Sequence, residues 1–206
     1  LRYLAETDVF FLNLSMAACK AALDPANGIE GSSVVTAMSR NGTDFGIRVA
    51  GMKNQWFTAA APRVDGLYFP GYGPEDSNPD LGDSAITETA GLGAFALAAA
   101  PAITQFIGGS PALTRQYTDE MYGLTLSEHP RYTIPALDYR GTPVGVDLMR
   151  VARGRIAPVL DTGIAHREPG IGQIGAGIVR VPIEPFDEAL IALASTVGPD
   201  TATTSA

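Results

Sequence analysis

The chain has 206 residues, of which 46% are apolar and 17% charged, and its net charge is −8. This length and apolar content suffice for one or two domains with a sizeable buried core. The acidic balance, without any cluster of Lys and Arg, argues against nucleic acid and anionic membranes as partners.

The first third of the chain predicts a helix followed by a β-meander. Apolar residues recur at helical spacing over residues 2–23, and Asp24-Pro25 ends the helix. Cys19, the only cysteine, lies in this helix among alanines and is interpreted as a buried apolar residue rather than a nucleophile. β-Branched and alternating patterns predict three strands, over residues 32–39, 45–51 and 55–62.

The sequence RNGTDFGIR, residues 40–48, joins the first two of these strands. Asn-Gly predicts a hairpin turn. The alternation of the second strand divides it into an apolar face and a polar face, formed by Phe45, Ile47 and Val49 and by Asp44, Gly46 and Arg48. An arginine beside a glycine leaves room for a planar anion, which a guanidinium binds through two hydrogen bonds. The stretch is therefore either an ordinary hairpin turn or the rim of an anion site.

A Gly/Pro-rich connection follows, with five carboxylates and three aromatic residues between residues 62 and 87. The aromatic residues favour a packed loop. Its segment DSNPDLGD resembles the start of a calcium loop, but Leu81 and Thr87 stand where an EF-hand needs Gly and Glu. We interpret the acidic residues as caps of turns, with Asp83 or Ser84 capping the next helix, and expect no metal. A metal held by these carboxylates is the alternative.

The second half predicts more helices and strands. An Ala-rich helix is expected over residues 87–106, and Pro101 and the polar residues after it favour a buried helix over a membrane span. A second helix is expected over residues 110–128, with Ser110 as its N-cap. Beyond it the patterns predict extended segments, a short helix, a strand, a glycine-rich turn into another strand, and a closing helix.

This order of elements indicates an α+β fold, with a mixed or antiparallel sheet and packed helices that include the buried Ala-rich helix. We expect one unit over residues 1–194, with possible subdomains at 1–62 and 63–194. A polar tail over residues 195–206 is expected to be disordered.

Glycine and histidine motifs in the second half are candidates for chemistry. GIGQIGAG matches G-x-G-x-x-G through Gly170, Gly172 and Gly175, but HREP directly precedes it and the β-rich GIVRVP follows, where the fingerprint needs a strand and a helix, so no nucleotide cofactor is expected. The two histidines are too few for a three-histidine zinc site. His129 is interpreted as structural, at a helix C-terminus. His166, just past a strand end, is equally consistent with proton transfer and with a structural role.

Several long segments together resemble one known family. FFLNLSMAACKAAL, SSVVTAMSRNGTDFGIRVAG, YTIPALDYRGTPVGVD and DTGIAHREPGIGQIGAG are similar to the domain-of-unknown-function family 1116, the YlbE-like proteins. The resemblance spans nearly the whole chain and covers only the C-terminal half of a member. It implies a subunit that works beside an acyl-CoA-synthetase-like (FdrA-like) partner in purine degradation. In allantoin catabolism that system is an oxamate carbamoyltransferase, which exchanges oxalurate plus phosphate with oxamate plus carbamoyl phosphate.

Such chemistry needs donors for a carbonyl oxygen that gains negative charge, and cations for phosphate or carboxylate. The candidate substrate-binding residues are Arg48, Asn41, Thr43, Arg140, Thr162, Gly170, Gly172 and Gln173. The candidate catalytic residues are His166, which would move a proton, and Asp83 and Glu88, which would orient an amide nitrogen or assist proton transfer.

Three functions are compatible with these residues. A carbamoyltransferase subunit requires the loops of Arg48, His166 and Asp83 to converge on one pocket. A non-catalytic module that docks the synthetase-like partner predicts dispersed polar loops and a large exposed apolar patch. A metal-dependent amide hydrolase would use the carboxylates of residues 76–88. For the carbamoyltransferase subunit we expect a cytoplasmic homo-oligomer that binds a small anion, without a cofactor, nucleic acid or membrane.

Overall fold

The structure is a computed structural model, and it describes residues 2–6 and 10–197. Its α-helices are α1 (Arg2–Ala5), α2 (Phe10–Leu23), α3 (Ala85–Thr89), α4 (Thr104–Ile107), α5 (Pro111–Leu124), α6 (Leu148–Gly154) and α7 (Glu184–Thr196). Its strands are β1 (Val35–Asn41), β2 (Asp44–Val49), β3 (Trp56–Ala60), β4 (Asp65–Tyr68), β5 (Leu81–Gly82), β6 (Thr125–Ile134), β7 (Arg140–Val146), β8 (Val159–Ala165) and β9 (Gln173–Arg180). Short 3-10 helices lie at Asp24–Ala26, Ala50–Met52, Pro74–Asp76, Gly93–Ala99, Pro101–Ile103 and Pro135–Leu137.

The strands pair into three antiparallel sheets. The first sheet has the order β3-β2-β1-β5, the second has the order β4-β9-β8, and β6 and β7 form a separate two-stranded hairpin. Helices precede, separate and follow these sheets in the chain. Antiparallel sheets with segregated helices confirm the predicted α+β fold.

The predicted meander is confirmed, and its alternation sets the two faces of the first sheet. Phe45, Ile47 and Val49 are fully buried, whereas Asp44 is exposed and Arg48 is only partly buried. The buried face packs against α7, where the rings of Phe45 and Phe186 stack with centroids 6.4 Å apart. Because these side chains point to opposite faces in turn, β2 presents one apolar buried face and one more open face, whereas the second face of β1 is covered at Ala37 by Cys19 of α2 and Ile86 of α3.

One continuous apolar core joins the first sheet to the second. It contains side chains from both, such as Ile47 of β2 and Ile164 of β8, with Phe95 and Phe186 from the helical segments. The subdivision at residue 62 stays a prediction. Helix α7 continues to Thr196, two residues into the segment expected to be a tail, and residues 198–206 of that tail lie outside the described residues.

The prediction of a continuous Ala-rich helix over residues 87–106 was wrong. Helix α3 ends at Thr89, and 3-10 turns and the short α4 replace the rest. Gly91 and Gly93 have positive φ angles of +85° and +56°, which end a right-handed helix, and Pro101 interrupts the next one. The expected burial is confirmed for Ala94, Phe95, Leu97 and Ala98. Along the described part of the chain, every helix is too short or too polar to cross a membrane.

The second predicted helix has the right start and the wrong end. Ser110 is its N-cap as predicted, because its Oγ accepts a hydrogen bond from Leu113 N at 3.3 Å. The helix ends at Leu124, and residues 125–134 form β6 by pairing with β7. His129 therefore lies in a strand, and its predicted place at a helix C-terminus was wrong.

The segment between β3 and α3 connects the two larger sheets through its backbone. Asp80 N donates to Pro62 O at 2.8 Å, and Asp80 O accepts from Gly42 N at 3.1 Å in the β1–β2 turn. At the other side, Asn78 N donates to Ala165 O at 2.8 Å, at the edge of β8. The segment is packed as expected, with Tyr68 against the main core, whereas Phe69 and Tyr72 are about 40% exposed.

Candidate functional site

A buried arginine lies where the two larger sheets meet. Arg40 is on the core face of β1, two residues after the buried Met38, and only 4% of it is exposed. Its Nε donates to Asp80 Oδ2 at 2.9 Å, and its Nη2 donates to Thr162 Oγ1 at 2.7 Å and to Ser84 Oγ at 3.1 Å. Thr162 Oγ1 in turn donates to Asp80 Oδ1 at 2.9 Å. The network ties β1, the connecting segment and β8 together.

One nitrogen of this arginine is not used. Arg40 Nη1 is buried and has no hydrogen-bond partner among the described residues. A buried donor left unpaired costs about 1–3 kcal/mol, so an acceptor that reached it would be stabilised by a charge-assisted hydrogen bond. The position therefore has capacity to bind an anionic group.

Glu88 is a second buried charged residue next to this network. It lies in α3 and is 1% exposed. Its Oε1 accepts hydrogen bonds from Ala94 N and Asp161 N, each at 3.1 Å. The turn at Gly93 approaches so closely that a Cβ there would lie 2.2 Å from Glu88 Oε1. Only glycine fits at that position without displacing the carboxyl group.

Burial raises the pKa of Glu88 to about 7, although the charge of Arg40 and the two backbone donors act to lower it, and the charge of Asp161 raises it further. Burial also raises the pKa of Asp161 to about 6, against the opposing charge of Arg40. Asp161 is only partly buried, and no described residue donates a hydrogen bond to its carboxylate. Two carboxyl groups that exchange protons near neutral pH thus lie within the electrostatic reach of one arginine. This arrangement suits proton transfer beside a bound anion.

The predicted cap of α3 takes part in this cluster instead. Ser84 is at the N-cap position, but its side chain makes no capping hydrogen bond and contacts Arg40. Asp83 is exposed and does not cap the helix either. The capping prediction for both residues was wrong, because the buried guanidinium attracts the hydroxyl group. In the described part of the chain no three His, Cys, Asp or Glu side chains form a group that could hold a metal.

Arg48 lies on the open face of the first sheet, away from Arg40. Its Nη2 donates to Asn54 Oδ1 at 2.7 Å, and its guanidinium lies 5.9 Å from the centre of the Trp56 ring. The ring lies across Gly46, where an added Cβ would come within 3.1 Å of Trp56 Cε3. Beside Trp56 runs a groove of about 360 Å³, which Asp83 and Lys20 also line.

Two further predicted substrate-binding residues, Asn41 and Thr43, lie in the β1–β2 turn. Asn41 Oδ1 accepts hydrogen bonds from Thr43 N at 2.8 Å and from Asp44 N at 2.7 Å. Such a side-chain bond to the following backbone stabilises the reversal of the chain. Thr43 is exposed. The hydrogen bonds of Asn41 are sufficient to explain RNGTDFGIR as an ordinary hairpin turn.

Both histidines use Nδ1 to hold a local turn. Glu168 N donates to His166 Nδ1 at 2.8 Å, and Arg131 N and Tyr132 N donate to His129 Nδ1 at 3.1 and 2.9 Å. In the neutral ring the proton must then be on Nε2. The Nε2–H of His166 is therefore available to donate a hydrogen bond. Its ring contacts Tyr72, with centroids 5.7 Å apart.

The remaining predicted ligands lie at two further places. Arg140 pairs with Glu128 at 2.7 Å and stacks on Tyr122 with its Cζ 3.5 Å from the ring centre, on the β6–β7 hairpin. Gly170 and Gly172 have positive φ angles in the β8–β9 turn. Gln173 begins β9, and its side chain lies over Gly163. No helix follows the glycines, in agreement with the absence of a predicted nucleotide fingerprint.

The structure thus brings together only part of the predicted set. Glu88 and Thr162 lie in the Arg40 cluster, whereas Asp83 and Arg48 lie on the open face. His166 lies apart, where its backbone bridges to Ser77 and its ring contacts Tyr72. Sequence reasoning missed Arg40, Asp80 and Asp161. Arg40 follows Met38 on the apolar side of a strand, and a charged residue at a core position was the signal that was available.

Comparisons with known proteins give a consistent picture. Residues 1–84 match the sequence model of the family described as oxamate carbamoyltransferase subunit AllG. The chain is 50% identical over 197 residues to the oxamate carbamoyltransferase subunit AllG of Escherichia coli K12, and 49% identical over 189 residues to the uncharacterized protein YahG of the same strain. These alignments cover 95% and 92% of this chain.

A solved structure is similar as well. The crystal structure of a conserved protein of unknown function from Enterococcus faecalis V583 superposes with a TM-score of 0.93 at 49% sequence identity, over 95% of this chain. The chain covers 47% of that protein, 47% of AllG and 40% of YahG. It therefore spans about half the length of the relatives that it matches, and it is similar to that half along nearly all of its own sequence.

Proposed function

We propose that this chain is the C-terminal half of a YlbE-like subunit of a carbamoyl-transfer enzyme that acts on small anionic amides. The observation that carries the reaction class is the 50% identity with AllG over 95% of the chain. The reaction would be the exchange of oxalurate plus phosphate with oxamate plus carbamoyl phosphate. The subunit would work in purine degradation in the cytoplasm, as a homo-oligomer beside an FdrA-like partner.

The Arg40 cluster is the proposed reactive centre. In the direction of oxalurate synthesis, the amide nitrogen of oxamate attacks the carbamoyl carbon, the bond from that carbon to the phosphate oxygen breaks, and phosphate leaves. The attacking nitrogen loses one proton, and the partly exposed Asp161, with its pKa near 6, would accept it. Arg40 Nη1 would bind a phosphate or carboxylate oxygen.

Glu88 and Thr162 would position these two groups. Glu88 accepts the backbone N–H of Asp161, and Thr162 holds Arg40. Arg48, Asn41, Thr43, Asp83, Arg140 and the β8–β9 turn with Gly170, Gly172 and Gln173 stay as candidates for binding more distant parts of the substrates. His166 would donate a hydrogen bond to a substrate oxygen through its Nε2–H.

A chimera tests the proposed reaction. This chain replaces the matched half of E. coli AllG, and the loss of carbamoyl phosphate that depends on oxamate is measured in an extract that lacks AllG. We expect activity within about tenfold of that with AllG itself. A chimera that is folded and equal in abundance, yet gives no more activity than the extract alone, would refute the proposal. A chimera with unrelated protein in place of this chain is the matched negative control.

One observation favours a second function, the non-catalytic docking module. The predicted polar loops do not converge, and α2 exposes large apolar residues such as Phe11 and Leu14. Under this alternative, activity of the chimera would survive the loss of every carboxylate in the Arg40 cluster as long as the chain stays folded. No observation in the described residues favours the metal-dependent hydrolase.

A further inference from the structure

Helix α2 lies on the surface of the molecule with most of its apolar residues outside the core. Of the residues in FFLNLSMAACKAAL, only Cys19 is buried. Cys19 packs with Ala37, Ile86 and Ala90 in a small cluster that is separate from the main core. Phe11 and Leu14 are 75% and 57% exposed. A helix this apolar is normally covered on more than one side.

The exposed residues form a continuous stripe. Phe11, Leu14, Ala18 and Ala22 recur at intervals of three and four residues, which places them on one side of the helix. They form one wall of a groove of about 420 Å³, whose other wall contains Leu92, His129 and Tyr132. None of the residues that line the groove is Asp, Glu, Lys or Arg. Such a lining suits an apolar polypeptide segment and not an anionic ligand.

The opposite wall belongs to an element that is also exposed. Of the ten residues of β6, only Thr125 and Ile134 at its ends are buried, and His129 is half-buried. Among the described residues, the strands of the hairpin pair only with each other. Ile134 and Val146 anchor the hairpin because both are fully buried, but most of β6 is exposed, so covering the groove would remove apolar surface of both the hairpin and the helix from water.

We propose that the groove between α2 and the β6–β7 hairpin binds an apolar segment of the additional polypeptide that the longer relatives carry outside the matched region. The relatives are about twice the length of this chain, and the fold of the matched half is retained at a TM-score of 0.93. The remaining half of such a chain is held close to this one by the chain connection, and covering the uncharged groove would remove its apolar lining from water. The proposal does not depend on carbamoyl transfer.

Cysteine labelling of the AllG chimera described above tests this surface. Leu14→Cys and, separately, Ala18→Cys place a thiol in the groove, and Ile191→Cys places one on α7, where the native side chain is 69% exposed. Maleimide labelling of each peptide is followed by mass spectrometry and compared with the rate after unfolding in urea. Both groove thiols should react at least about tenfold more slowly than the thiol at position 191, because covered thiols react slowly.

Two results would overturn the proposal. Equal rates at the groove and at position 191 would show that the groove is open in the longer chain. Protection that disappears when the chimera is diluted to a monomer, as followed by light scattering, would assign the groove to a second copy. Two groove positions are substituted for a reason. If one variant melts at a lower temperature than the parent chimera, the labelling rate of the other variant decides the test.

Discussion

Arg40 and Arg48 lie on the two paired strands of one hairpin, yet their surroundings are opposite. Arg40 faces the core and meets a carboxylate that lies 40 residues further along the chain. Arg48 faces the open side and meets Asn54 and an exposed Trp56. The motif alone favoured Arg48, because an exposed arginine beside a glycine suits an anion. The contrast teaches that the face of the strand decides whether an arginine is fixed by a buried carboxylate or lies beside a ring and an amide, because each guanidinium keeps one buried nitrogen without a partner among the described residues.

The largest expected effect comes from removing the buried arginine. Arg40→Met should lower the free energy of unfolding by about 3–5 kcal/mol, because it leaves Asp80 as an uncompensated buried charge. Arg48→Met, its matched control on the open face, should change it by less than about 1 kcal/mol. Urea unfolding followed by circular dichroism measures both. Similar losses for the two variants would remove the distinction between the regions.

A smaller effect should follow from filling the space beside Glu88. Gly93→Ala places a Cβ against Glu88 Oε1 at a positive φ angle, and should destabilise the fold by about 2–4 kcal/mol. Gly154→Ala, near the end of α6, has no atom within 4 Å of its added Cβ and should be neutral or slightly stabilising. Thermal unfolding of the two alanine variants measures the difference. If Gly93→Ala were as stable as the native chain, the tight approach of the turn to Glu88 would be disproved.

The pH dependence of stability distinguishes the buried carboxyl groups beside Arg40 from exposed ones. Between about pH 4 and 7, folded Glu88 and Asp161 keep protons that the unfolded chain has released, since burial raises both pKa values. The folded state binds more protons in this window, so the free energy of unfolding falls as pH rises through it and levels off above pH 7. Glu88→Gln should remove on the order of 1–2 kcal/mol of this fall.

Urea titrations at pH 5 and at pH 8 measure that change, and Glu75→Gln is a suitable control on an exposed residue. The native chain and the control should lose stability between the two pH values, and Glu88→Gln should lose less. A native profile that rises over this interval would contradict the raised pKa values.

Much of the fold follows from the sequence, and the reasons are local. The alternation of Phe45, Ile47 and Val49 fixed the faces of β2, and Ser110 with Pro111 fixed the start of α5. The prediction of the Ala-rich helix failed because an alanine-rich composition favours a helix, whereas Gly91 and Gly93 adopt left-handed conformations that composition does not encode. The helix prediction for residues 125–128 failed because pairing with β7 overrides the apparent continuation of the helix.

The candidate site was less accessible to sequence reasoning because it is assembled across the chain. Glu88 was selected, but its contact with the backbone of Asp161 spans 73 positions and depends on where β8 lies. Thr162 was selected for its loop position, and it is instead a buried partner of Arg40. His166 was selected as a base, and the donor that occupies its Nδ1 is a neighbouring backbone N–H, which no residue pattern reveals.

Asp161→Asn in the AllG chimera tests the central claim most directly, because it separates chemistry from stability. The substitution keeps the shape of the side chain and removes a carboxylate whose charged form burial disfavours, so the melting temperature should not fall below that of the parent chimera. If the Arg40 cluster is the reactive centre, carbamoyl transfer should fall by about 10²–10⁴-fold. Unchanged transfer by a chimera that melts no lower than its parent would show that the cluster only holds the two sheets together.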